Sequence, residues 1–600
     1  MIRSLMLAAA CLAAGPALAQ DAASADYRQR PPEDEIVYFL LPDRFDNADP
    51  ANDRGGLSGD RLKTGFDPAG KGFFHGGDLQ GVIRRLDYIK GLGATAIWLT
   101  PVMKNKPVQG AGGQESAGYH GYWITDFTHV DPHLGSDADY KALVDAAHAR
   151  GMKVYFDIVI NHTADVIQYR ECGDCAYRSI ADYPYQRRGG VSGAAINPGF
   201  AGDAVQTAEN FAKLTDMSFA YTPYLAKGDE RAKAPAWLND IKNYHNRGNS
   251  TFEGESSTYG DFVGLDDVAT ERPEVVRGFI AAYGDWIDRY GIDGFRIDTS
   301  KHVNREFWQA FVPAMMARAK ARGIPNFHIF GEVMVGEPDS ATLARYNATD
   351  VYQPLDFAFT WTMVGALSAE KGTDSLTRLF ADDVLYRGGA LAARRLPTFL
   401  GNHDNGRFAT LLRQRRRDMS DAELLGRVRL GHALLLTLRG VPVLYYGDEQ
   451  GFNGDGGDQD AREDMFGSQV ASFNDNRLLG TQATTATPRF ETGHPLYAEI
   501  AALAKLRQAH PALRHGLTVV NADSKAPGLF AVTRRDPASG EAIFLAFNTS
   551  QSPVDALVAI DPATTGFSAL HGRCAAPSAP GSVRVVLAPL DYLICVAETK

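Results

Sequence analysis

The sequence predicts a (β/α)8 barrel that is interrupted by an inserted domain and followed by an antiparallel β-sandwich. Three observations predict it. Eight short β-rich apolar runs alternate with amphipathic helical patterns between residues 36 and 449. One interval, residues 161 to 272, breaks that alternation between the third and fourth runs. Beyond residue 510 the pattern changes to alternating strands alone.

The chain begins MIRSLMLAAACLAAGPALAQ, with one early cation, a short apolar core and Ala17-Leu18-Ala19. That reads as a secretory signal peptide, residues 1–19, cut after Ala19. A membrane anchor fits less well, because Gly15 and Pro16 break a stretch already too short to span. Lipidation at Cys11 is disfavoured because Ala8 stands where such signals prefer Leu. No later segment is long and apolar enough to cross a membrane. The expected address is therefore periplasmic or extracellular.

The first part of the barrel, residues 30–160, holds IVYFLL (36–41), ATAIWLTPV (94–102) and KVYFDIVI (153–160). The interval 161–272 is rich in Gly, Tyr, Asn and Asp, and a structureless loop of that length inside a compact domain is improbable. It is read as an inserted domain. The second part, 273–505, holds GIDGFRID (291–298), NFHIFGEV (326–333), DVYQPLDF (350–357), LPTFLGNHD (396–404) and VPVLYYGDE (441–449). Residues 510–600 carry LTVV, LFAVTRR, AIFLAFNTS and VRVVLAPLDYLICVA, which read as sandwich strands.

With 600 residues the chain is too long for one ordinary core. Hydrophobic residues at 44% and charged residues at 22% fit a soluble globular protein. Losing the signal also loses Arg3, which takes the formal net charge from −11 to −12. No basic run suggests a nucleic-acid partner. Four cysteines remain, Cys172, Cys175, Cys574 and Cys595. An even count in an exported chain suggests two disulfides, Cys172–Cys175 and Cys574–Cys595. A redox or zinc role for CGDC lacks a strand-to-helix context in the one case and a second Cys/His cluster in the other.

In such barrels the chemistry sits at the C-terminal strand ends. The third run brings Asp157, Asn161 and His162 there, the fourth Arg296 and Asp298, the fifth Glu332, and the seventh Asn402, His403 and Asp404. Gathering several carboxylates at one buried mouth is costly, so packing alone explains it poorly. Paired carboxylates perform glycoside hydrolysis. Arg296 and Asp298 lie two apart on a strand and face the same way, so Arg296 is expected to lower the Asp298 pKa and keep a nucleophile ionised. Glu332 follows FHIFG, and desolvation is expected to hold it protonated as the acid. Asp404 is expected to stabilise positive charge in the transition state.

DIVINH (157–162), GFRIDTSKH (294–302), GEV (331–333) and LGNHD (400–404) resemble, in order and strand position, the four signature regions of the α-amylase family, glycoside hydrolase family 13. GYHGYW (118–123) and GLDDVATERPEV (264–275) resemble two further family stretches. The resemblance covers roughly residues 36 to 460. It implies a barrel, a domain B after strand three and a β-sandwich domain C. By matching motif it implies Asp298 as nucleophile, Glu332 as acid/base, Asp404 as transition-state stabiliser, and a retaining mechanism. Arg296, His120, His162 and His403 would hold the sugar, with Tyr122 as its stacking platform. Members that cut α-1,4 glucans internally usually carry the pair Lys301-His302, with the lysine on the leaving-group side. GGDQDAR (456–462) is similar to a stretch lining distal donor subsites, which implies contacts from Asp458 and Arg462.

The resemblance also implies Ca²⁺, a hard cation that wants several oxygen ligands. Asn161, Asp267 and the carbonyl of His302 would hold one ion between barrel and domain B, with a further ligand unplaced. DRFDNADPANDRGG (43–56) and HGGDLQG (75–81) are similar to the N-terminal calcium loop of cyclodextrin glycosyltransferases. Matching positions are Asn47, Asp49, Asn52, Asp53, the carbonyl of Gly76, and Asp78. The family pattern has Asp at position 47 and Asn at 49 and 53, and a plain Asx-rich turn has the same spacing.

The expected function is hydrolysis of α-1,4-glucosidic bonds in starch or maltodextrins by an exported, monomeric α-amylase-type enzyme. The alternative within the same chemistry is a transglycosylase or cyclomaltodextrinase acting on cyclic or short α-glucans. A non-catalytic carbohydrate-binding barrel is the third reading, and the presence of all three carboxylates argues against it. No starch-binding domain is expected after the sandwich, which favours a soluble substrate.

Overall fold

Eight parallel strands form one sheet in the computed structural model, which describes residues 27–350 and 352–599. The signal peptide expected at 1–19, with its cut after Ala19, lies outside the described residues. The strands are β1 Val37–Leu40, β2 Ala96–Leu99, β3 Lys153–Val159, β4 Gly294–Asp298, β5 His328–Gly331, β6 Gln353–Pro354, β7 Pro397–Thr398 and β8 Val441–Tyr445. Their order is β6-β5-β4-β3-β2-β1-β8-β7. Helices such as Leu79–Gly91, Asp137–Ala149, Pro273–Tyr290 and Asp421–Thr437 cover the outside. Strands buried on both faces read as continuous apolar runs, which is why these runs showed no alternation.

The register carries the chemistry. Arg296 on β4 stands opposite Asp157 on β3 and Phe330 on β5. The fourth run was expected from residue 291, but β4 starts at Gly294. Gly291 instead ends the helix Pro273–Tyr290 with φ of 69°, the left-handed turn that glycine adopts without a Cβ clash. Between β6 and β7 the barrel closes by the Asp356 N–H donating to the Pro397 carbonyl at 2.9 Å. Buried Arg439 fastens the same seam, with Nη1 at 2.5 Å from Asp356 Oδ2 and Nε at 2.8 Å from Asp383 Oδ1.

Residues between β3 and the helix Pro273–Tyr290 form a separate lobe over the strand ends. Its regular structure is slight: Ile167–Tyr169 pairs with Pro223–Leu225, and His162–Thr163 with Asp266–Asp267. Its own core is aromatic, with Tyr185, Phe200, Phe211, Phe219 and Tyr221. The guanidinium of buried Arg247 lies 4.5 Å and 4.7 Å from the rings of Tyr185 and Phe219. The Cys172–Cys175 disulfide is present.

The C-terminal strands are β9 Leu517–Ala522, β10 Leu529–Arg535, β11 Ala542–Asn548, β12 Val554–Ala559, β13 Thr564–His571, β14 Pro577–Ala579, β15 Ser582–Leu587 and β16 Tyr592–Thr599. They make an antiparallel five-stranded sheet, β9-β10-β11-β16-β13, and a three-stranded one, β12-β15-β14. The last apolar run, expected as one strand, is two, split around Pro589, which cannot donate to a ladder. Side-chain alternation gives the larger sheet two buried faces. Leu529, Ala531, Phe544 and Ala546 meet the smaller sheet, while Phe530, Val532, Ile543, Leu545 and Phe547 join the barrel core. Cys574–Cys595 is bonded as expected. Among the described residues no helix is long and apolar enough to cross a membrane.

Arg439→Met should destabilise the fold by about 3–5 kcal/mol, because two buried carboxylates at the seam lose their counter-charge. Urea unfolding measures this, and a loss below about 1 kcal/mol would contradict that role.

Candidate active site

A buried guanidinium organises the mouth of the barrel. Arg296 and Asp298 share one face of β4, and Glu332 follows β5. Arg296 Nη1 donates to Asp298 Oδ1 at 2.8 Å and Asp157 Oδ1 at 3.0 Å, while Nη2 donates to Glu332 Oε2 at 2.8 Å. Asp157 also accepts from Trp98 Nε1 at 2.9 Å and from the Tyr122 hydroxyl at 3.1 Å. Thr299, directly after Asp298, has φ of 45°, a conformation that costs a β-branched residue about 1–2 kcal/mol. That turn aims its N–H at Glu332 Oε2, 3.1 Å away. Gly331 is required just before Glu332: a Cβ there would lie 2.5 Å from the Tyr352 ring and 2.6 Å from Ser300 Oγ.

One electrostatic expectation needs correction. Arg296 was expected to lower the Asp298 pKa. Burial instead pushes Asp298 well above the usual carboxylate range, and Glu332, Asp157 and Asp404 add to that; Arg296 opposes without prevailing. Burial likewise takes Asp157 up to about 6 against the pull of Arg296. Buried Glu332 accepts from Arg296 and from the Thr299 N–H. Asp298, Asp157 and Glu332 thus share one guanidinium as their common counter-charge.

Asp404 stands on the loop after β7. Arg462 Nη2 donates to its Oδ1 at 3.1 Å, and His403 Nε2 lies 3.4 Å from its Oδ2. Arg462 also pairs with Asp458 at 2.5 Å and donates from Nε to the His403 carbonyl at 3.0 Å. His120, Tyr122 and His403 form a near-parallel stack, with centroids 5.6 Å and 5.5 Å apart. Burial lowers the pKa of His120 and His403 well below the ordinary value and takes His162 to about 3, so all three imidazoles are neutral. His162 Nε2 and His403 Nδ1 are buried without a protein partner. Lys301 Nζ donates to the Met334 carbonyl at 3.0 Å.

A cavity of about 600 Å³ is lined by Asp298, Glu332, Asp404, His120, Tyr122, His162, Lys301, His302, His403, Asp458 and Arg462. Arg296 lies beneath it. The structure therefore brings together every residue expected at the catalytic and sugar-binding positions. Sequence reasoning missed Gln109, Trp123, Phe252, Phe262, Val263 and Met334, which line the same cavity. Phe252 and Val263 are 43% and 74% exposed, with φ of 62° and 53°. An apolar, exposed, strained wall facing a cleft was not legible, because the inserted lobe has no periodic pattern.

The expected calcium ligands are placed in two regions. Asp267 pairs with His162 across a short ladder, and the Val268 N–H donates to the Asn161 carbonyl at 2.9 Å. His245 was not anticipated: Nδ1 lies 2.5 Å from Asp267 Oδ2 and Nε2 3.0 Å from Glu271 Oε2. Burial opposes its charge, but Glu271 and Asp267 push its pKa up to about 10. His302 turns its imidazole to the Ser257 carbonyl, 2.7 Å away. In the N-terminal loop, Asn47 Nδ2 donates to Asp53 Oδ1 at 2.9 Å, and Asp78 Oδ2 accepts from the N–H groups of Ala48 and Asp49 at 3.0 Å and 2.7 Å. Asn47 Oδ1 and Asn52 Oδ1 are buried without a partner. A Cβ on Gly76 would fall 2.6 Å from both Asn47 Nδ2 and Asp53 Oδ1. Burial and the nearby Asp43, Asp78 and Asp49 push Asp53 up to about 6. Among the described residues, no three Asp, Glu, His or Cys side chains converge as a metal cluster. The oxygens in the loop come from amides and carbonyls as much as from carboxylates.

Comparison with known proteins adds an independent observation. Residues 39–516 match the family model for the alpha amylase catalytic domain. The chain is 45% identical over 516 residues to an alpha-amylase of Streptomyces lividans, covering 86% of this chain and 55% of that one. It is 27% identical over 514 residues to a cyclomaltodextrin glucanotransferase of Klebsiella oxytoca, covering 80% and 66%. An Anoxybacillus alpha-amylase structure superposes with a TM-score of 0.67 at 27% identity, covering 95% and 99%. The chain thus spans about half the length of the Streptomyces relative.

The His162 imidazole should keep its neutral NMR signature from pH 8 down to pH 5, since its pKa of about 3 lies below that window. A titration midpoint near the ordinary value of about 6.5 would contradict this environment.

Proposed function

The chain belongs to the α-amylase family, and from that premise we propose that it is an exported retaining glycosidase cleaving α-1,4-glucosidic bonds in starch or maltodextrins. The observation that carries the proposal is the Arg296 guanidinium, which bridges Asp298 and Glu332 below a cavity whose far side holds Asp404. Two carboxylates on one guanidinium are neighbours, which suits the separation of about 5–5.5 Å of retaining enzymes better than the wider gap of inverting ones.

In this reading Asp298 attacks the anomeric carbon while Glu332 gives its proton to the departing glycosidic oxygen. The C–O bond breaks, and the sugar is held as an ester on Asp298. Glu332, now ionised, takes a proton from water, which attacks the same carbon and releases the sugar with its original configuration. Asp404 and the other carboxylates stabilise the positive charge on the ring. Neutral His120, His162 and His403 bond the sugar hydroxyls without adding positive charge where positive charge develops. Tyr122 offers its ring to the apolar face of the sugar. Lys301 reaches the leaving-group side, and Asp458 and Arg462 the donor side. The two disulfides support an oxidising destination.

Ca²⁺ fits the N-terminal loop, where the unpartnered Asn47 and Asn52 oxygens and the close approach at Gly76 form a cradle of oxygens. Of the matching positions, Asn47, Asn52, Asp53 and the Gly76 carbonyl would hold it, while both Asp78 oxygens accept from backbone N–H groups. Bound there it would supply structural charge compensation for Asp53 and Asp78. At the barrel–lobe junction, Asn161, Asp267 and the His302 carbonyl fit less well, because one Asp267 oxygen already lies 2.5 Å from His245 Nδ1.

A second reading, transfer to a sugar acceptor, is favoured by the apolar wall of Phe252, Phe262, Val263 and Met334, which offers an acceptor sugar a better surface than water. Products longer than the substrate on maltoheptaose would select it.

Asp298→Asn and Glu332→Gln should each lower turnover of maltoheptaose by about 10³-fold or more while leaving the unfolding midpoint close to wild type. Proton NMR during wild-type turnover should show the α-anomer first; a β-anomer burst would sink the retaining mechanism. Adding Ca²⁺ after EDTA treatment should stabilise the protein by about 2.7 kcal/mol at a hundredfold excess over Kd, and Asn52→Ala/Asp53→Ala should abolish most of that gain. An unfolding midpoint indifferent to Ca²⁺ would remove the loop site.

A further inference from the structure

Arg44 is fully buried and lies outside the set of groups that face the cavity. Its donors reach four residues in three stretches of chain. Nε bonds Asp43 at 2.7 Å, Nη1 donates to the Arg462 carbonyl at 2.7 Å, and Nη2 donates to the carbonyls of Lys71 and Phe73 at 2.8 Å and 2.9 Å. The guanidinium lies 3.9 Å from the centre of the Tyr119 ring. The Tyr119 hydroxyl in turn accepts from Arg462 Nη1 at 3.1 Å. Arg44 therefore holds Arg462 at both ends, by its backbone carbonyl directly and by its side chain through Tyr119. Arg462 is the residue that grips Asp404 and the His403 carbonyl. Lys71, whose carbonyl Arg44 anchors, also forms an ion pair with Asp460 in the same turn.

We propose that Arg44 is a positioning residue for Asp404: it fixes the 458–462 turn so that Arg462 holds that carboxylate at the reacting centre. This rests on the glycosidase reading given above. The warrant is steric and electrostatic. Asp404 is bound by His403 on its own loop and by Arg462 in the 458–462 turn, where Asp458 has φ of 52°, so the turn needs outside support. Arg44 supplies four charge-assisted hydrogen bonds from a fully buried site. Asp43 also accepts from the His75 and Gly76 N–H groups at 2.9 Å and 3.0 Å, which joins this anchor to the proposed calcium loop. A lysine ammonium, with three donors on a point charge, cannot reproduce this fan.

Arg44→Lys should lower kcat on maltoheptaose by about tenfold to a hundredfold with KM within about twofold, because Arg44 does not touch the sugar. In an Arg462→Lys background it should cause little further loss, since both act through one contact. Tyr119→Phe, which removes only the hydroxyl, should lower kcat in the same direction and fold normally. The ¹⁵N resonance of Arg462 Nε, assigned by its loss in Arg462→Lys, should shift in Arg44→Lys. That readout needs no turnover, so an inactive wild type would sink the glycosidase reading alone. The proposal is overturned by an unmoved Arg462 resonance, by a kcat loss that persists in full in the Arg462→Lys background, or by Tyr119→Phe with wild-type kcat should Arg44→Lys not fold.

Discussion

The structure depends on one buried cation. Arg296 is sealed inside the barrel and bonds three carboxylates from three successive strands, so removing it would leave several like charges buried together. Its position follows from strand alternation: two residues apart on β4, the arginine and the nucleophile candidate must share a face. The parallel register then sets Asp157 opposite, and the short turn after β5 delivers Glu332. The arrangement of these four side chains is thus a consequence of barrel register and does not rest on long loops. What rests on loops is the third carboxylate, Asp404, and there the chain uses a second arginine network, Arg462 backed by Arg44.

Much of this was legible in the sequence. All eight barrel strands lay within the apolar runs, because strands buried on both faces leave a strong unbroken signal. The candidate site residues were legible because they sit at strand ends, where sequence position nearly fixes spatial position. Both disulfides followed from an even count. The C-terminal domain was read in part: Val554–Ala559, Thr564–His571 and Pro577–Ala579 were missed, being short or half-exposed and without a clean alternating run.

The rest was not legible, for physical reasons. The state of Asp298 depends on burial and on carboxylates remote in sequence, so the neighbouring arginine alone gave the wrong sign. Glu332 looked apolar in sequence because its partners, Arg296 and the Thr299 N–H, come from another strand. The Phe252, Phe262 and Val263 wall belongs to a lobe with little regular structure, held by its own aromatic core. His245 reaches Asp267 from twenty-two positions away. In each case the deciding contact is through space and carries no local periodicity.

The account stands on Arg296 as the common counter-charge of the carboxylates. The direct test is the pH dependence of kcat/KM for Arg296→Lys beside wild type, with an unfolding control. A lysine ammonium can face one or two of the three carboxylates but cannot span them as a planar fork does. Losing that charge contact raises carboxylate pKa values, so the acid limb should move to higher pH and kcat should fall by more than about a hundredfold. A folded variant with an unmoved acid limb and kcat within about fivefold of wild type would contradict the account.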